Sequence, residues 1–191
     1  MKTIAVDVDD TLNDFSETLR TTTFAHSAAY NITPETFDKY VEMLRSGHDQ
    51  PNDLLSTEYS YFCYKIHCEC YKLATARPDA IEFMQWLRAN EWRVVIVTYR
   101  DLRRSNELTR KWLHDNEIPF DYLFMTLNKL EFCKAWKIGY LVDDHLVNLV
   151  QSNEPGGPQV FYPVMSKHKT GVIYRGKGFE NFNELKQWIQ N

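Results

Sequence analysis

The sequence lacks several features that would place it in a common class of protein. Its 22 basic and 26 acidic side chains give a net charge of −4, whereas a groove that binds nucleic acid needs an excess of positive charge. No apolar run approaches the roughly 20 residues of a membrane-spanning helix. The Gly-x4-Gly-Lys-Ser/Thr motif of P-loop kinases is also absent. We therefore expect no nucleic-acid polymer, no membrane and no P-loop chemistry.

Other absences bear on compartment and domain number. A strand-like run begins at Thr3, which leaves no room for a signal peptide, so we expect a cytoplasmic protein. Its four cysteines are then expected to be reduced thiols. The sequence shows no internal repeat and no low-complexity segment. A chain of 191 residues suits one domain, or one domain with an insertion, and its oligomeric state stays open.

The most informative stretch is an apolar run followed directly by carboxylates. Residues Thr3 to Val6 are apolar and β-branched, as in strands buried on both faces, and Asp7, Asp9 and Asp10 follow. Because strand side chains alternate, Asp7 and Asp9 point to the same side. Two carboxylates in that position repel each other unless a cation lies between them or one is protonated. The carboxyl ends of strands in open α/β sheets are also where ligands bind.

The remaining sequence predicts an α/β core with an insertion. Apolar runs that predict further strands occur at 94–97, 122–125, 139–142 and 160–162. Amphipathic stretches between and after them predict helices at 78–90, 101–116, 129–137 and 181–190. This alternation predicts a doubly wound, Rossmann-like parallel sheet covered on both faces. Residues 14–75 are rich in aromatic side chains without a buried-strand run, and predict a small helical cap over the strand ends. Within them, Thr33 followed by Pro34 predicts a helix start, and residues 46–53 predict a turn between helices. The core would then consist of residues 1–13 and 76–191.

Polar residues with a shared chemistry follow three of the predicted strands. Asp7 and Asp9 follow the first, Thr98 the second, and Asp143 with Asp144 the fourth. Lys129 begins the helix that leads into the fourth strand. A threonine or a lysine in such a place is more often structural than catalytic. The complete order is a much stronger signal than any one of its members.

This order resembles the haloacid dehalogenase (HAD) superfamily of phosphotransferases. Asp7-x-Asp9-x-Thr11 matches its first motif, Thr98 the second, Lys129 the third, and the pair Asp143–Asp144 the fourth. The resemblance covers residues 1–13 and 77–191 and implies a HAD-like fold.

Within the superfamily, the chain is similar to the 5′(3′)-deoxyribonucleotidase branch and its bacterial and phage relatives. The similar features are the short helical cap, the Thr98–Tyr99–Arg100 strand end and the compact Lys129-to-Asp143 spacing. Asp10 departs from that branch, which usually has glycine or a small residue there, and the role of Asp10 stays open.

The resemblance implies a phosphatase mechanism. Asp7 would attack phosphorus to form an aspartyl-phosphate, and Asp9 would act as general acid and then as general base. Thr98 and Lys129 would hold the phosphoryl oxygens. The implied cofactor is Mg²⁺, bound by Asp7, the backbone carbonyl of Asp9, and Asp143 with Asp144. Which member of that last pair touches the metal stays open.

The substrate implied is a small phosphomonoester, in particular a (deoxy)nucleoside monophosphate whose base stacks on cap aromatics. Equally, those aromatic rings could form the core of the cap itself. The alternatives are a HAD phosphatase for another small phosphometabolite and a non-catalytic protein that binds phosphorylated ligands. Receiver domains place their acidic pair after the first strand instead of late in the chain. Metal-dependent nucleases would usually present a basic track.

Two further clusters can each be interpreted as either structural or functional. Cys63, Cys68 and Cys70 with His67 could hold zinc, but their spacing is poor for a tetrahedral site, so we expect buried thiols and a surface histidine. The basic stretch from Lys167 to Lys177 is predicted to be a solvated loop rather than a flap that grips phosphate.

Overall fold

The structure is a computed structural model that describes residues 2–30, 32–45, 61–100, 102–152, 155–165, 168 and 174–190. The chain divides into two compact units. The core unit consists of Met1–Asp14 and Ala76–Asn191, and the insertion is Phe15–Thr75. Within the described ranges, no helix combines the length and apolar character needed to cross a membrane.

A six-stranded parallel sheet forms the centre of the core unit. The strands are β1 (Thr3–Val6), β2 (Arg93–Thr98), β3 (Tyr122–Met125), β4 (Tyr140–Val142), β5 (Gln159–Pro163) and β6 (Lys177–Phe179). Their order in the sheet is β3-β2-β1-β4-β5-β6. The first strand of the chain therefore lies between the two halves of the sheet. This order confirms the predicted doubly wound, Rossmann-like α/β fold.

Helices occupy most of the remaining described chain. They are α1 (Phe15–Tyr30), α2 (Pro34–Arg45), α3 (His67–Leu73), α4 (Pro78–Ala89), α5 (Leu102–Asp115), α6 (Lys129–Ala135), α7 (Leu146–Val150) and α8 (Phe182–Gln190). A π-helical segment, Phe62–Ile66, precedes α3. Sequence analysis did not predict β6, α7 or the π-helical segment.

The sheet of the core unit is buried on both faces, as its apolar strands predict. Ile4 and Val6 of β1 belong to one hydrophobic cluster, together with buried side chains of α4 and α8. Ala5 points to the opposite face and belongs to a second cluster with side chains of α6 and α7. Alternate residues of one strand thus join two separate layers, which is why every residue of the strand interior is apolar.

Three helices of the core unit, α4, α5 and α6, end in the same way before a strand. A residue with left-handed backbone is followed by a buried apolar residue; the pairs are Glu91 (φ 58°) with Trp92, Glu117 (φ 54°) with Ile118, and Lys137 (φ 53°) with Ile138. In the first pair, the Trp92 N–H donates to the Leu87 carbonyl over 3.0 Å. The same bond recurs in the other two, so all three ends are Schellman motifs.

The insertion has its own hydrophobic core. Helix α2 begins as predicted: the Thr33 hydroxyl accepts the Thr36 N–H over 3.3 Å, and Pro34 takes the first helical position. The buried core includes aromatic side chains of α1, α2, the π-helical segment and α3, namely Phe15, Phe37, Tyr40, Phe62 and Tyr71. The turn predicted at residues 46–53 lies outside the described residues.

Candidate active site

The candidate site lies at the carboxyl ends of the two central strands, β1 and β4. These strands are neighbours, with Val6 opposite Val142. The Asp7 N–H donates to the Val142 carbonyl over 2.9 Å, and the Asp143 N–H donates to the Phe161 carbonyl over 3.0 Å. Each aspartate therefore extends the hydrogen bonding of the sheet by one residue. The two halves of the sheet meet here, which is the usual ligand position in such folds.

Lys129 lies between two of the carboxylates. Its Nζ is 2.7 Å from Asp7 Oδ2 and 2.8 Å from Asp143 Oδ2, and all three side chains are buried. Lys134, one turn further along α6, instead pairs with Glu131 near the surface. The helix start that was predicted to carry the functional lysine thus brings Lys129 to the strand ends.

Asp7, Asp143 and Asp144 form a compact group of buried carboxylates. One oxygen of each lies within 4.8 Å of the others. Asp144 Oδ1 also accepts the Thr11 hydroxyl over 3.2 Å. One lysine cannot balance three carboxylates in a buried place, so the group has an excess of negative charge. An all-oxygen set with that charge is the ligand type that Mg²⁺ prefers.

Two oxygen atoms at the strand ends are buried and have no hydrogen-bond partner among the described residues. They are Asp7 Oδ1 and Thr98 Oγ1. Buried polar atoms are almost always satisfied, so an exception needs an explanation. A metal ion or a phosphoryl group would supply partners for a carboxylate oxygen and a hydroxyl at this position.

Burial dominates the electrostatics of Asp7. Burial raises the pKa of the Asp7 carboxyl from 3.8 to about 8; Lys129 opposes the rise, and Asp143, Asp144 and Asp9 add to it. The pKa of Lys129 is raised, although burial alone would lower it. Burial lowers it, but Asp143 and Asp7 together raise it well above its ordinary value. Lys129 is therefore a permanent cation at the site.

The Asp9 carboxylate has a different environment from the other three aspartates. The Arg100 guanidinium donates two hydrogen bonds to it: Nε donates to Oδ2 over 2.8 Å, and Nη2 donates to Oδ1. Asp9 was predicted to give the metal its backbone carbonyl, and that role stays a prediction. The sequence analysis did not predict the pairing with Arg100; the one signal was the position of Arg100, two residues after Thr98.

The Asp143–Asp144 loop is held by side chains that were not predicted to contact it. Asn148 Nδ2 donates to Asp143 Oδ2 over 3.1 Å. His168 Nδ1 accepts the Met165 N–H over 3.1 Å, so its Nε2 carries the proton and donates to the Asp144 carbonyl over 3.0 Å. His168 is buried.

The prediction of a solvated loop from Lys167 to Lys177 is therefore wrong at His168, which is buried, whereas Lys177 is exposed but belongs to a strand. His168 is buried because its ring packs against Tyr162 and Tyr174. Lys177 lies in β6, with its Nζ 3.4 Å from the centre of the Trp188 ring. Lys167 and Lys169 lie outside the described residues.

The cysteine-rich stretch belongs to the insertion. Cys70 is buried in its hydrophobic core, and Cys63 and Cys68 pack against that core. His67 Nδ1 lies 3.1 Å from the Tyr71 hydroxyl. The expectation that these residues hold no zinc stays a prediction.

The fold is a HAD-like α/β architecture, and comparison with solved structures agrees. YfnB of Bacillus subtilis, described as a HAD-hydrolase and solved bound to magnesium, has a TM-score of 0.69 at 13% identity, over 100% of this chain and 99% of that one. A haloacid dehalogenase-like hydrolase of Streptococcus pneumoniae has a TM-score of 0.64 at 15% identity, over 100% of this chain and 99% of that one.

A third similar structure contains ligands. The D,D-heptose 1,7-bisphosphate phosphatase of B. bronchiseptica, complexed with magnesium and phosphate, has a TM-score of 0.55 at 14% identity, over 100% of this chain and 99% of that one. No protein-family model matches the sequence, and no curated protein matches it either. At these identities the structures establish the HAD-like fold, which was predicted.

Proposed function

We propose that this chain is a Mg²⁺-dependent phosphomonoester hydrolase of the cytoplasm that acts through an aspartyl-phosphate on Asp7. The observation that carries the proposal is the unbonded, buried Asp7 Oδ1 at the junction of β1 and β4. Its other oxygen is held by the Lys129 ammonium. A nucleophile needs one oxygen free to attack and a fixed orientation, and Asp7 has both.

The first displacement would use Asp7 and Asp9. Asp7 Oδ1 forms a bond to phosphorus, the bond from phosphorus to the ester oxygen breaks, and that oxygen leaves with the electron pair. Asp9 gives it a proton, which matters most for an alkoxide leaving group. In the second displacement, water attacks phosphorus, Asp9 accepts a proton from the water, and the Asp7 carboxylate is released. Inorganic phosphate and an alcohol are the products.

Lys129 and Thr98 would hold the phosphoryl oxygens. The Lys129 pKa lies above its ordinary value, so the ammonium keeps its charge through the reaction. The Thr98 hydroxyl, buried at the end of β2, has no partner within the described part of the chain and can donate to a phosphoryl oxygen. Both act on charge that is redistributed during transfer.

Asp7, Asp143 and Asp144 fit a Mg²⁺ ion. The fit rests on the closeness of their carboxylate oxygens and on their buried excess charge. When bound, the ion would neutralise charge on the phosphoryl group and orient it towards the nucleophile. Without any ligand, burial favours the protonated form of Asp7, which is a poor nucleophile.

The proposed substrate class is small phosphomonoesters, with nucleoside monophosphates to be tested first. Burial of five aromatic side chains in the core of the insertion leaves fewer rings for stacking on a base than the composition indicated. Tyr64 is one that is exposed, at 41%. Loss of the nucleophile or the acid would mark a non-catalytic relative, and Asp7 and Asp9 are both present.

The test is a hydrolysis screen over nucleotides, sugar phosphates and 4-nitrophenyl phosphate, with and without Mg²⁺. We expect turnover that needs Mg²⁺ and that Asp7→Asn abolishes for every substrate. Asp9→Asn should give a burst of 4-nitrophenolate followed by a slow steady state, because the phosphoenzyme accumulates when water lacks its base. An Asp7→Asn protein at full rate would end the proposal. Sugar phosphates that outperform all nucleotides would reject the nucleotidase subtype alone.

A further inference from the structure

A fully buried arginine in the core unit makes its main described contacts with Asp9 and Thr109. The Arg100 side chain is 0% exposed, whereas that of Asp9 is 20% exposed. A buried guanidinium is costly unless its N–H groups are satisfied. Here Nε and Nη2 bind the two oxygens of Asp9, and Nη1 donates to Thr109 Oγ1 over 2.9 Å.

Thr109 in turn is fixed by its own helix. Its hydroxyl donates to the Ser105 carbonyl, one turn earlier in α5, over 2.7 Å. The hydroxyl proton is thereby directed away from Arg100, and an oxygen lone pair faces Nη1. The chain of bonds from the Ser105 carbonyl through Thr109 and Arg100 to Asp9 has a donor and an acceptor at every step. Helix α5 thus sets the orientation of the Arg100 guanidinium through Thr109.

We propose that Arg100 is the positioning residue for the proton-transfer step at Asp9. The inference rests on the proposed function. A guanidinium fork fixes the plane of a carboxylate and uses one lone pair on each oxygen. Asn13 Nδ2 also donates to Asp9 Oδ1 over 3.4 Å. Asp9 Oδ2 accepts one bond, from Arg100 Nε, and is therefore the oxygen with a lone pair left to carry the transferred proton. Lysine could not replace this function, since an ammonium does not define a plane.

The experiment compares two esters of similar size that differ in their need for an acid. 4-Nitrophenyl phosphate has a weakly basic leaving group, and 2-phenylethyl phosphate releases a strongly basic alkoxide. The measured quantity is kcat/KM with Mg²⁺, which reports steps up to the first irreversible displacement. The variants are Arg100→Gln, Arg100→Lys and Thr109→Val. The control is Arg88→Gln, which removes an arginine that pairs with Asp121 at the surface of the same unit.

We expect Arg100→Gln to lower kcat/KM about 100-fold for the alkyl ester and less than about fivefold for the aryl ester. Arg100→Lys should resemble Arg100→Gln. Thr109→Val keeps Asp9 and its arginine, and should shift the ratio between esters in the same direction by about threefold to tenfold. Arg88→Gln should leave the ratio unchanged. A merely structural role would lower both esters together.

An equal loss on both esters in folded Arg100→Gln and Thr109→Val proteins would overturn the inference and leave the proposed function intact. If Arg100→Lys kept the wild-type ratio of kcat/KM between the two esters, that result would also overturn the inference and leave the proposed function intact. Wild-type protein that hydrolyses neither ester would overturn the proposed function, and this inference with it. Thermal unfolding of each variant shows whether it is folded, and Thr109→Val, nearly equal in shape, covers the case in which Arg100 variants fail to fold.

Discussion

At the scale of single residues, the position of one ammonium group organises the site. Lys129 Nζ bridges Asp7 and Asp143, and all three side chains are buried. An ion pair of this kind contributes little net stability, but it fixes the geometry of the groups it joins. Lys134, in the same helix, pairs with Glu131 at 26% side-chain exposure. The two lysines form a natural matched pair for mutation.

We expect Lys129→Met to lower kcat by about 100-fold or more, because a group that stabilises phosphoryl charge is lost. Lys134→Met should change kcat by less than about twofold, since isolated surface ion pairs contribute little. Steady-state hydrolysis of 4-nitrophenyl phosphate measures both, and thermal unfolding checks that both proteins are folded. The reverse ranking would refute the role assigned to Lys129.

The burial of Asp7 has a consequence for stability and pH. Its pKa is 3.8 in an unfolded chain and about 8 in the metal-free fold. Between these two values, only the folded state keeps the proton, so this group's contribution to stability falls as pH rises through that window. Below this window both states hold the proton, so the contribution of Asp7 to stability no longer changes with pH. Mg²⁺ must displace the proton, so its binding should strengthen as pH approaches about 8.

When the pH is raised from about 5 to about 8, we therefore expect the stability of Asp7→Asn to fall less than that of the wild type. In wild type, Mg²⁺ should raise the melting temperature more at about pH 8 than at about pH 6; in the variant, this difference should shrink or vanish. Melting curves of both proteins with and without Mg²⁺ measure this. Asp115→Asn, which alters an exposed carboxylate paired with Lys111, is the control. An unaltered Mg²⁺ response in Asp7→Asn would contradict the assignment.

Sequence reasoning reached those site residues that lie next to strands. Asp7, Thr98 and Asp143 were located because a strand's end can be read from apolar periodicity, and parallel strands share one edge. The pairing of Asp9 with Arg100 could not be read in this way. It joins positions 91 residues apart and depends on side-chain rotamers and on the burial of a guanidinium, neither of which leaves a periodic signal.

At the scale of secondary-structure elements, long periodic segments were predictable and short ones were not. β2 and α4 carry enough apolar residues to show their period. β6 has three residues and α7 has five, too few for either period to emerge, so both form because of the sheet and helices around them. The Schellman ends were hidden for another reason: their left-handed positions hold Glu91, Glu117 and Lys137 instead of the usual glycine.

Those three positions predict stabilising substitutions. A left-handed backbone costs a side-chain-bearing residue about 1–2 kcal/mol, and glycine avoids this at an entropic cost of about 0.5–1 kcal/mol. We expect Glu91→Gly, Glu117→Gly and Lys137→Gly each to raise the free energy of unfolding by about 0.5–1 kcal/mol, roughly additively. Urea denaturation measures this. Glu107→Gly, on an exposed position inside α5, should instead lower it by about 1 kcal/mol, and equal effects at all four sites would contradict the argument.

At the scale of the whole molecule, every proposed site residue belongs to the core unit. The two ends of the insertion are neighbours within that unit, since Asn13 and Ala76 form an antiparallel bridge. A short linker can therefore replace residues 15–75 without stretching the chain. The insertion, in contrast, has its own aromatic core.

We expect a chain with residues 15–75 replaced by a short Gly/Ser linker to fold and to keep its stabilisation by Mg²⁺. Hydrolysis of 4-nitrophenyl phosphate should persist, because every proposed catalytic residue belongs to the core unit. Circular dichroism and melting curves with Mg²⁺ check the fold and the site. A shortened chain that stays unfolded would show that the core unit depends on the insertion.

The central place of β1 in the sheet bears on the order of events at the ribosome. Of the six strands, β1 is synthesised before the others, yet its pairing partners begin at Arg93 and Tyr140. The nascent strand stays apolar and unpaired until β2 has emerged, and its second edge stays unpaired until β4 has emerged. The intervening insertion closes over shorter distances in sequence and can become compact in the meantime. The strand that precedes the proposed nucleophile is thus made before both of its partners, so a chain that ends before β4 and Asp143 cannot hold a finished site.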